Sequence, residues 1–319
     1  MTKQLDPQAQ ALLEVMQAVG APPLHTLTVE QAREQMRTAL LTRGEPLPLH
    51  EVEDLLLPAP HGALPMRLYR PRAGILPVAL FFHGGGWTLN DIETHDRLCR
   101  RIAKRSGWLL ASLDYRRAPE HPHPAAIEDA RYAYSWLLEN AGRIEGDPAL
   151  STVIGESSGA TIAAALTLQL RDAGAPLPAF QVLAYPATDV PGRWPSHEQR
   201  GSGYTLDGPL MRWFIEQYRP AAYDPEDPYR DPYLFPLAAP DLGGLPPALV
   251  MTAEFDPLRD EGIAYAERLA AAGVPVEHLH AADQMHGFLM VDRAIDRAGE
   301  LIDHLADALA ARARPGVSG

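Results

Sequence analysis

From about residue 50 onward, apolar runs of strand character alternate with helical patterns, and this alternation limits the fold more than any other feature. Two strands joined through a helix lie parallel, because the crossover returns the chain to the same edge of the sheet. Parallel sheets carry helices on both faces, so their strands are apolar throughout, as residues 77–82 are. The sequence predicts an α/β fold with a mostly parallel central sheet.

Two segments do not follow this alternation. Residues 7–43 are helical by their apolar spacing, and residues 191–240 are inserted between two predicted strands. Because open α/β sheets bind ligands beyond the carboxyl ends of their strands, both segments are candidates for a cap there. The predicted division is a core of residues 46–190 and 241–319, with residues 1–45 and 191–240 as the cap. A plain surface helix is the alternative for the amphipathic stretch within the insertion.

The sequence Gly-Glu-Ser-Ser-Gly at residues 155–159 stands between an apolar run and an Ala/Leu-rich helical pattern. A strand that runs directly into a helix forces a strained turn, which exposes the side chain at its tip. Ser157 has glycine two residues before it and two residues after it, whereas Ser158 does not. The pattern predicts a nucleophile elbow with Ser157 at the tip. A flexible surface turn is the alternative for the motif taken alone.

A glycine-rich loop follows the predicted strand at residues 77–82, with the sequence His-Gly-Gly-Gly-Trp. Glycines leave backbone N–H groups unshielded, so such a loop can direct two donors at the oxyanion of a tetrahedral intermediate. The N–H of Ser158, at the start of the following helix, would be a third donor. A glycine hairpin and a phosphate-binding loop are the alternatives. A phosphate loop calls for Lys followed by Ser or Thr after the glycines, and here Trp87 follows them.

A serine nucleophile needs a base and a carboxylate, in the chain order Ser, Asp or Glu, His. His286 lies in a loop beyond the predicted strand at residues 276–280, and Asp256 directly follows the predicted strand at residues 248–255. Asp260 is the nearest rival, but its position suits a helix N-cap. Asp283 lies too close to His286 in sequence to fold back onto it. For His286 taken alone, an ordinary hydrogen-bonded loop histidine is the commoner case.

In their order and spacing, these segments resemble the hormone-sensitive-lipase-like carboxylesterases of the α/β-hydrolase superfamily. The matching segments are residues 83–87, 113–122, 155–159, 256–262 and 286–288. The resemblance implies an α/β-hydrolase fold in which Ser157, Asp256 and His286 form the catalytic triad. It also implies an oxyanion hole made by the N–H groups of Gly84, Gly85 and Ser158.

The elbow departs from the family pattern at three positions. Where the family usually has Asp, Ala and Gly, this chain has Glu156, Ser158 and Ala160. Replacement of Asp by Glu keeps the charge and lengthens the side chain. These differences leave the assignment of the nucleophile unchanged, but they alter the hydrogen bonding expected in the turn.

The resemblance implies hydrolysis of small carboxylic esters through a serine acyl-enzyme, without a cofactor. A capped pocket of modest size favours short to medium acyl chains. Trp87, Phe214 and Phe288 are candidates for the pocket wall, with a place in the core as their alternative. An amidase or thioesterase with the same triad, a lyase, and a ligand receptor on the same fold are the other candidate functions. Receptors of this type in plants lack the histidine, whereas His286 is present.

Composition excludes several other functions. The net charge of −13, from 28 basic and 41 acidic residues, argues against nucleic acid and anionic membranes as partners. No paired Cys-x-x-Cys or His-Glu-x-x-His spacing indicates a metal site, and the single cysteine, Cys99, cannot form an internal disulfide. The N-terminus has no apolar core of a secretion signal, and no apolar run is long enough to span a bilayer, so the expected location is the cytoplasm. A homodimer is left open.

Overall fold

The computed structural model describes residues 3–38 and 46–313, and the strands in this part of the chain form one sheet of eight. The order of the strands across the sheet is β1-β2-β4-β3-β5-β6-β7-β8. Strand β2 pairs antiparallel with β1 and β4, whereas the pairs from β4 through β8 are parallel. The strands are β1 Glu51–Ala59, β2 Gly62–Arg70, β3 Leu76–Phe82, β4 Leu109–Leu113, β5 Gly146–Glu156, β6 Phe180–Ala184, β7 Ala248–Phe255 and β8 Val276–Met285.

Helices cover both faces of this sheet. Strand β3 shows the reason, because Leu80 and Phe82 join the apolar cluster on one face while Phe81 joins the cluster on the other. The first cluster includes residues of α4, α5 and α8, and the second includes residues of α3 and α9. The predicted α/β fold with a mostly parallel sheet is therefore confirmed. The helices are α1 Pro7–Val19, α2 Val29–Thr38, α3 Ile92–Ser106, α4 Ala125–Glu139, α5 Ser158–Asp172, α6 Pro195–Gln199, α7 Gly208–Tyr218, α8 Arg259–Ala271 and α9 Asp296–Arg312.

The N-terminal segment is helical where the structure describes it. Helix α1 begins after Asp6, whose side chain accepts hydrogen bonds from the N–H groups of Gln8 and Ala9, and it ends at Gly20 in the left-handed conformation. A short 3₁₀ turn at Leu24–Thr26 separates α1 from α2. The C-terminal end of the predicted helical segment, residues 39–43, lies outside the described residues.

The insertion between β6 and β7 contains α6, α7 and a 3₁₀ turn. Helix α7 begins after Asp207, whose carboxylate accepts the N–H of Leu210 at 2.8 Å. Leu210 and Met211 are buried in a small cluster with Leu258 of the core, and Leu24 of the N-terminal segment packs against that cluster. The described parts of the two segments therefore contact each other, as a shared cap requires. Within the residues described, no helix is both long and apolar enough to cross a membrane.

Candidate active site

Ser157 occupies the turn between β5 and α5. Its backbone has φ 54° and ψ −125°, a conformation that costs a residue with a side chain about 1–3 kcal/mol. Its N–H donates to the carbonyl of Ala184 at 2.9 Å, which ties the turn to β6. The flanking glycines are required by close approach, because a Cβ on Gly155 would lie 2.1 Å from the carbonyl oxygen of Gly159. The turn therefore has the strained strand-to-helix geometry of a nucleophile elbow.

The structure brings Ser157, His286 and Asp256 into one chain of hydrogen bonds. Ser157 Oγ lies 3.0 Å from His286 Nε2, and His286 Nδ1 lies 2.8 Å from Asp256 Oδ2. The other carboxylate oxygen of Asp256 accepts the N–H of Leu258 at 2.8 Å, and its side chain is fully buried. An ionised carboxylate at Nδ1 selects the tautomer with its proton on that nitrogen, so Nε2 is left to accept a proton from Ser157.

The surroundings of His286 raise its affinity for a proton. Burial by itself lowers the pKa of the imidazole, since the charged form loses its hydration. The charge and hydrogen bond of Asp256 outweigh that effect, with further contributions from Glu156 and Glu261, so the pKa of His286 is raised above its ordinary 6.5. Asp256 therefore stabilises the imidazolium that would form when the serine loses its proton.

The histidine loop is also held by the insertion. Thr205 Oγ donates to the backbone carbonyl of His286 at 2.7 Å, and Tyr185 packs edge-on against the imidazole with ring centroids 4.8 Å apart. Sequence reasoning did not find either residue, because neither belongs to a motif. Both contacts limit the movement of the imidazole relative to Ser157.

The glycine-rich loop differs from expectation in which N–H groups it leaves free. The N–H of Gly84, expected from the sequence to contribute to an oxyanion hole, instead donates to Glu156 Oε1. The N–H groups of Gly85 and Gly86 have no hydrogen-bond partner in the part of the chain that the structure describes. These glycines have φ 111° and φ 59°, backbone conformations that glycine adopts without strain. The free N–H of Gly86 was not expected from the sequence; its only signal was a third glycine in the run.

The unusual elbow residues both take part in hydrogen bonds. Glu156 Oε1 also accepts from Nε2 of the fully buried His95, at 2.9 Å. Burial raises the pKa of Glu156, but the hydrogen bond and charge of His95 oppose it strongly enough that the net shift is downward. Ser158 Oγ accepts the N–H of Trp87 at 3.1 Å. Glu156 and Ser158 therefore each contact the glycine-rich loop.

The three aromatic residues predicted for the pocket wall lie in different environments. Phe214 of α7 is half-buried against the glycine-rich loop, where a Cβ on Gly86 would be 2.1 Å from its ring. Trp87 is instead buried, and it stacks on Tyr218 with ring centroids 4.3 Å apart. Phe288 begins a 3₁₀ turn and is fully buried in the core. Of the three, only Phe214 is partly exposed, and it contacts the loop.

The other carboxylates considered near the site have structural contacts. Asp260 lies in the first turn of α8, not at its N-cap as predicted, since that position belongs to Leu258. Its carboxylate accepts the N–H of Ser196 at 2.9 Å and pairs with Arg259. Among the residues with described positions, no group of three or more His, Cys, Asp and Glu side chains could hold a metal ion.

Comparisons with known proteins extend this picture. The chain matches the family described as alpha/beta hydrolase fold over residues 79–290. It is 41% identical to the carboxylic ester hydrolase LipN of Mycobacterium tuberculosis, over 89% of this chain and 77% of that protein. It is 35% identical to an ethyl acetate hydrolase of Pseudomonas putida, over 96% and 98%. A thermostable esterase from Pseudomonas putida has a similar structure, with a TM-score of 0.92, 34% identity and coverage of 99% and 100%.

Proposed function

The chain belongs to the α/β-hydrolase family, as one of its hormone-sensitive-lipase-like members, and we propose that it is a carboxylic ester hydrolase that acts through a serine acyl-enzyme. The observation that carries the proposal is the hydrogen-bond chain from Ser157 through His286 to Asp256. Its relatives over most of the chain are themselves named as esterases. An intact histidine also disfavours a receptor that only binds its ligand.

In the proposed mechanism, His286 takes the proton of Ser157 as Oγ attacks the ester carbonyl. Asp256 holds the imidazole by Nδ1 and stabilises its positive charge. The alcohol leaves with the proton from His286, and water then repeats the sequence on the acyl-enzyme to release the acid. Each step passes through a tetrahedral intermediate whose oxygen carries negative charge.

We assign the oxyanion hole to the backbone N–H groups of Gly85, Gly86 and Ser158. The first two are free of other partners among the described residues, and the third lies at the N-terminus of α5, where the helix dipole favours an anion. Donors of this kind act on charge that develops in the transition state, and loss of one typically lowers the rate about 10²- to 10³-fold.

We propose further that the N-terminal segment and residues 191–240 form a cap over this site. Two contacts support this: Thr205 binds the histidine loop, and Phe214 lies against the glycine-rich loop. The loop that carries His286 and the glycine-rich loop thus both contact the insertion. A side chain as large as Phe214 next to the oxyanion donors leaves room for short and medium acyl chains rather than long ones.

Hydrolysis of p-nitrophenyl esters from acetate to palmitate tests this function. We expect activity to be highest on short or medium chains, and we expect Phe214→Ala to move the optimum toward longer chains, because it removes a ring beside the acyl group. Tyr223→Ala removes another partly buried ring of the insertion and should leave the profile unchanged. Absence of turnover on every ester would refute the proposed function, and a wild-type preference for palmitate would refute the pocket size.

A further inference from the structure

We infer that Glu156 and Ser158, on either side of the nucleophile, are positioning residues. Their side chains hold the two ends of the glycine-rich loop. This inference rests on the proposed function. In addition to that function, we infer that these two side chains fix the free N–H groups of the loop relative to Ser157 Oγ.

The contacts bracket the two free donors. Glu156 accepts the N–H of Gly84, and Ser158 Oγ accepts the N–H of Trp87 at 3.1 Å. Gly85 and Gly86, whose N–H groups are free in the described chain, lie between these two anchored residues. Because Glu156 and Ser158 adjoin the nucleophile in sequence, both anchors are attached to the same rigid turn as Ser157.

The loop needs such anchors because glycine residues do not restrict the backbone to one conformation. Gly85 and Gly86 both have positive φ, in a region where glycine has wide freedom. On the far side, the loop is closed by the N–H groups of Thr88 and Leu89, which both donate to the carbonyl of Gly85. That turn fixes the local shape of the loop, but it does not relate the loop to the nucleophile. The two elbow side chains supply that relation.

Glu156 is itself fixed by its surroundings. His95 is fully buried and approaches the same carboxylate oxygen that accepts the Gly84 N–H, at 2.9 Å. The packing is so close that a Cβ on Gly84 would lie 2.0 Å from that oxygen. A buried carboxylate that is hydrogen-bonded to a histidine and closely packed has little freedom to move. It therefore holds Gly84 at a defined position.

Ser158 provides the second anchor only because it carries a hydroxyl group. An alanine at this position would have no side-chain acceptor for the Trp87 N–H. Ser158 is 1% exposed, so water cannot easily take over this contact. No other acceptor for the Trp87 N–H exists among the residues that the structure describes. Removal of the hydroxyl would leave a buried donor unpaired and one end of the loop free.

Ser158→Ala is the direct test, because it removes the hydroxyl and keeps the backbone N–H. On p-nitrophenyl butyrate we expect kcat to fall about three- to tenfold with KM unchanged, the size expected for one neutral hydrogen bond felt in the transition state. The affinity for a trifluoromethyl ketone of matching length, which forms a tetrahedral adduct, should fall by the same factor. Ser158→Cys, with a weaker acceptor, should give intermediate values. Glu156→Gln should likewise lower kcat and leave KM unchanged.

Ser151→Ala is the matched control. It removes a buried serine hydroxyl from β5, the strand that leads into the elbow; this hydroxyl is 3.1 Å from that of Tyr134 and has no hydrogen bond to the loop. It should leave kcat and ketone affinity unchanged, whereas Ser158→Ala changes both at a similar melting temperature. If Ser158→Ala does not fold, the Ser158→Cys values decide.

Two results would overturn the inference. One is a kcat for Ser158→Ala within about twofold of the wild type, although the wild type hydrolyses the ester. The other is an equal loss in Ser151→Ala, which would indicate a general effect on folding. Absence of hydrolysis by the wild type would instead refute the proposed function, and the inference with it.

Discussion

At the scale of single residues, the chemistry proposed for this site depends on what surrounds each side chain. Ser157 and His286 have no unusual reactivity by themselves. The turn exposes the serine, and the buried carboxylate of Asp256 fixes both the orientation and the tautomer of the imidazole. The pKa of His286 is raised by that carboxylate, and this leads to a prediction about pH.

Asp256→Asn should lower kcat about 10⁴-fold, and it should also move the acid limb of kcat/KM to lower pH. The proposed base is neutral His286, so activity in the wild type falls as pH decreases through the raised pKa. Without the negative charge of Asp256, the imidazolium is less stable and forms only at lower pH. The measurement is kcat/KM against pH for both proteins. Asp260→Asn, a nearby carboxylate without contact to His286, should keep the wild-type limb; an unshifted limb in Asp256→Asn would contradict this account.

Sequence reasoning found the residues that motifs specify, but it did not find those set by backbone direction. Ser157, Asp256 and His286 were predicted from their positions after strands, and the structure brings them together. The orientation of the glycine N–H groups depends on φ values that a run of three glycines does not determine. The sequence therefore did not show that the N–H of Gly86 is free and that of Gly84 is not.

At the scale of elements, the site depends on how closely α5 lies against β3. A Cβ on Gly159 would be 2.1 Å from the carbonyl oxygen of Phe82, and backbone at that position cannot move aside easily. Gly159 therefore allows the helix to approach the strand that leads into the glycine-rich loop. This contact sets how closely the start of α5 approaches the strand that leads into the loop.

Gly159→Ala should lower the free energy of unfolding by about 1–3 kcal/mol, because the methyl group overpacks a backbone contact. It should also lower kcat, since α5 and the glycine-rich loop would be pushed apart. Urea unfolding and ester hydrolysis measure the two effects. Gly142→Ala, at a glycine with no atom within 4 Å of the added methyl group, is the control and should be close to neutral. Equal stability of the two variants would show that α5 has room to move.

The elements themselves were largely predictable. Strand β7 has the predicted bounds, and β3 begins one residue before its predicted start. Strand β8 was predicted at residues 276–280 but continues to Met285, which pairs with Phe255 after a shift in register. The additional residues are only partly apolar, and they are held by pairing with β7 rather than by their own pattern. Such pairing is not visible in a single sequence.

At the scale of the whole molecule, Glu254 connects separate parts of the chain. Its buried carboxylate contacts Lys3 of the N-terminal segment, Arg200 of the insertion and Arg259 of α8. Burial by itself would raise the pKa of Glu254. The effect of these cations is larger, so the pKa is lowered to about 2. Glu254 lies in β7, two residues before Asp256. This ionic cluster therefore joins the predicted cap to the strand that leads to the proposed acid, Asp256.

Glu254→Gln should lower the free energy of unfolding by about 1.5–3 kcal/mol at neutral pH, since charged hydrogen bonds are lost. A carboxyl group with a lowered pKa stabilises the folded state above its ordinary pKa of 4.5. That contribution is lost as pH falls from about 4.5 toward about 2. The difference between wild type and variant in urea unfolding should therefore shrink over that range. Glu14→Gln, on the exposed face of α1, should show no difference; a pH-independent gap for Glu254→Gln would contradict the assignment.

The most direct test of the central claim is the release of p-nitrophenol from p-nitrophenyl butyrate by wild type and Ser157→Ala, with intact-mass spectrometry of both proteins during turnover. The account predicts hydrolysis and a single butyryl adduct in the wild type, no adduct in the variant, and a loss of rate of at least about 10⁴-fold. Hydrolysis by Ser157→Ala at a rate near that of the wild type would contradict it.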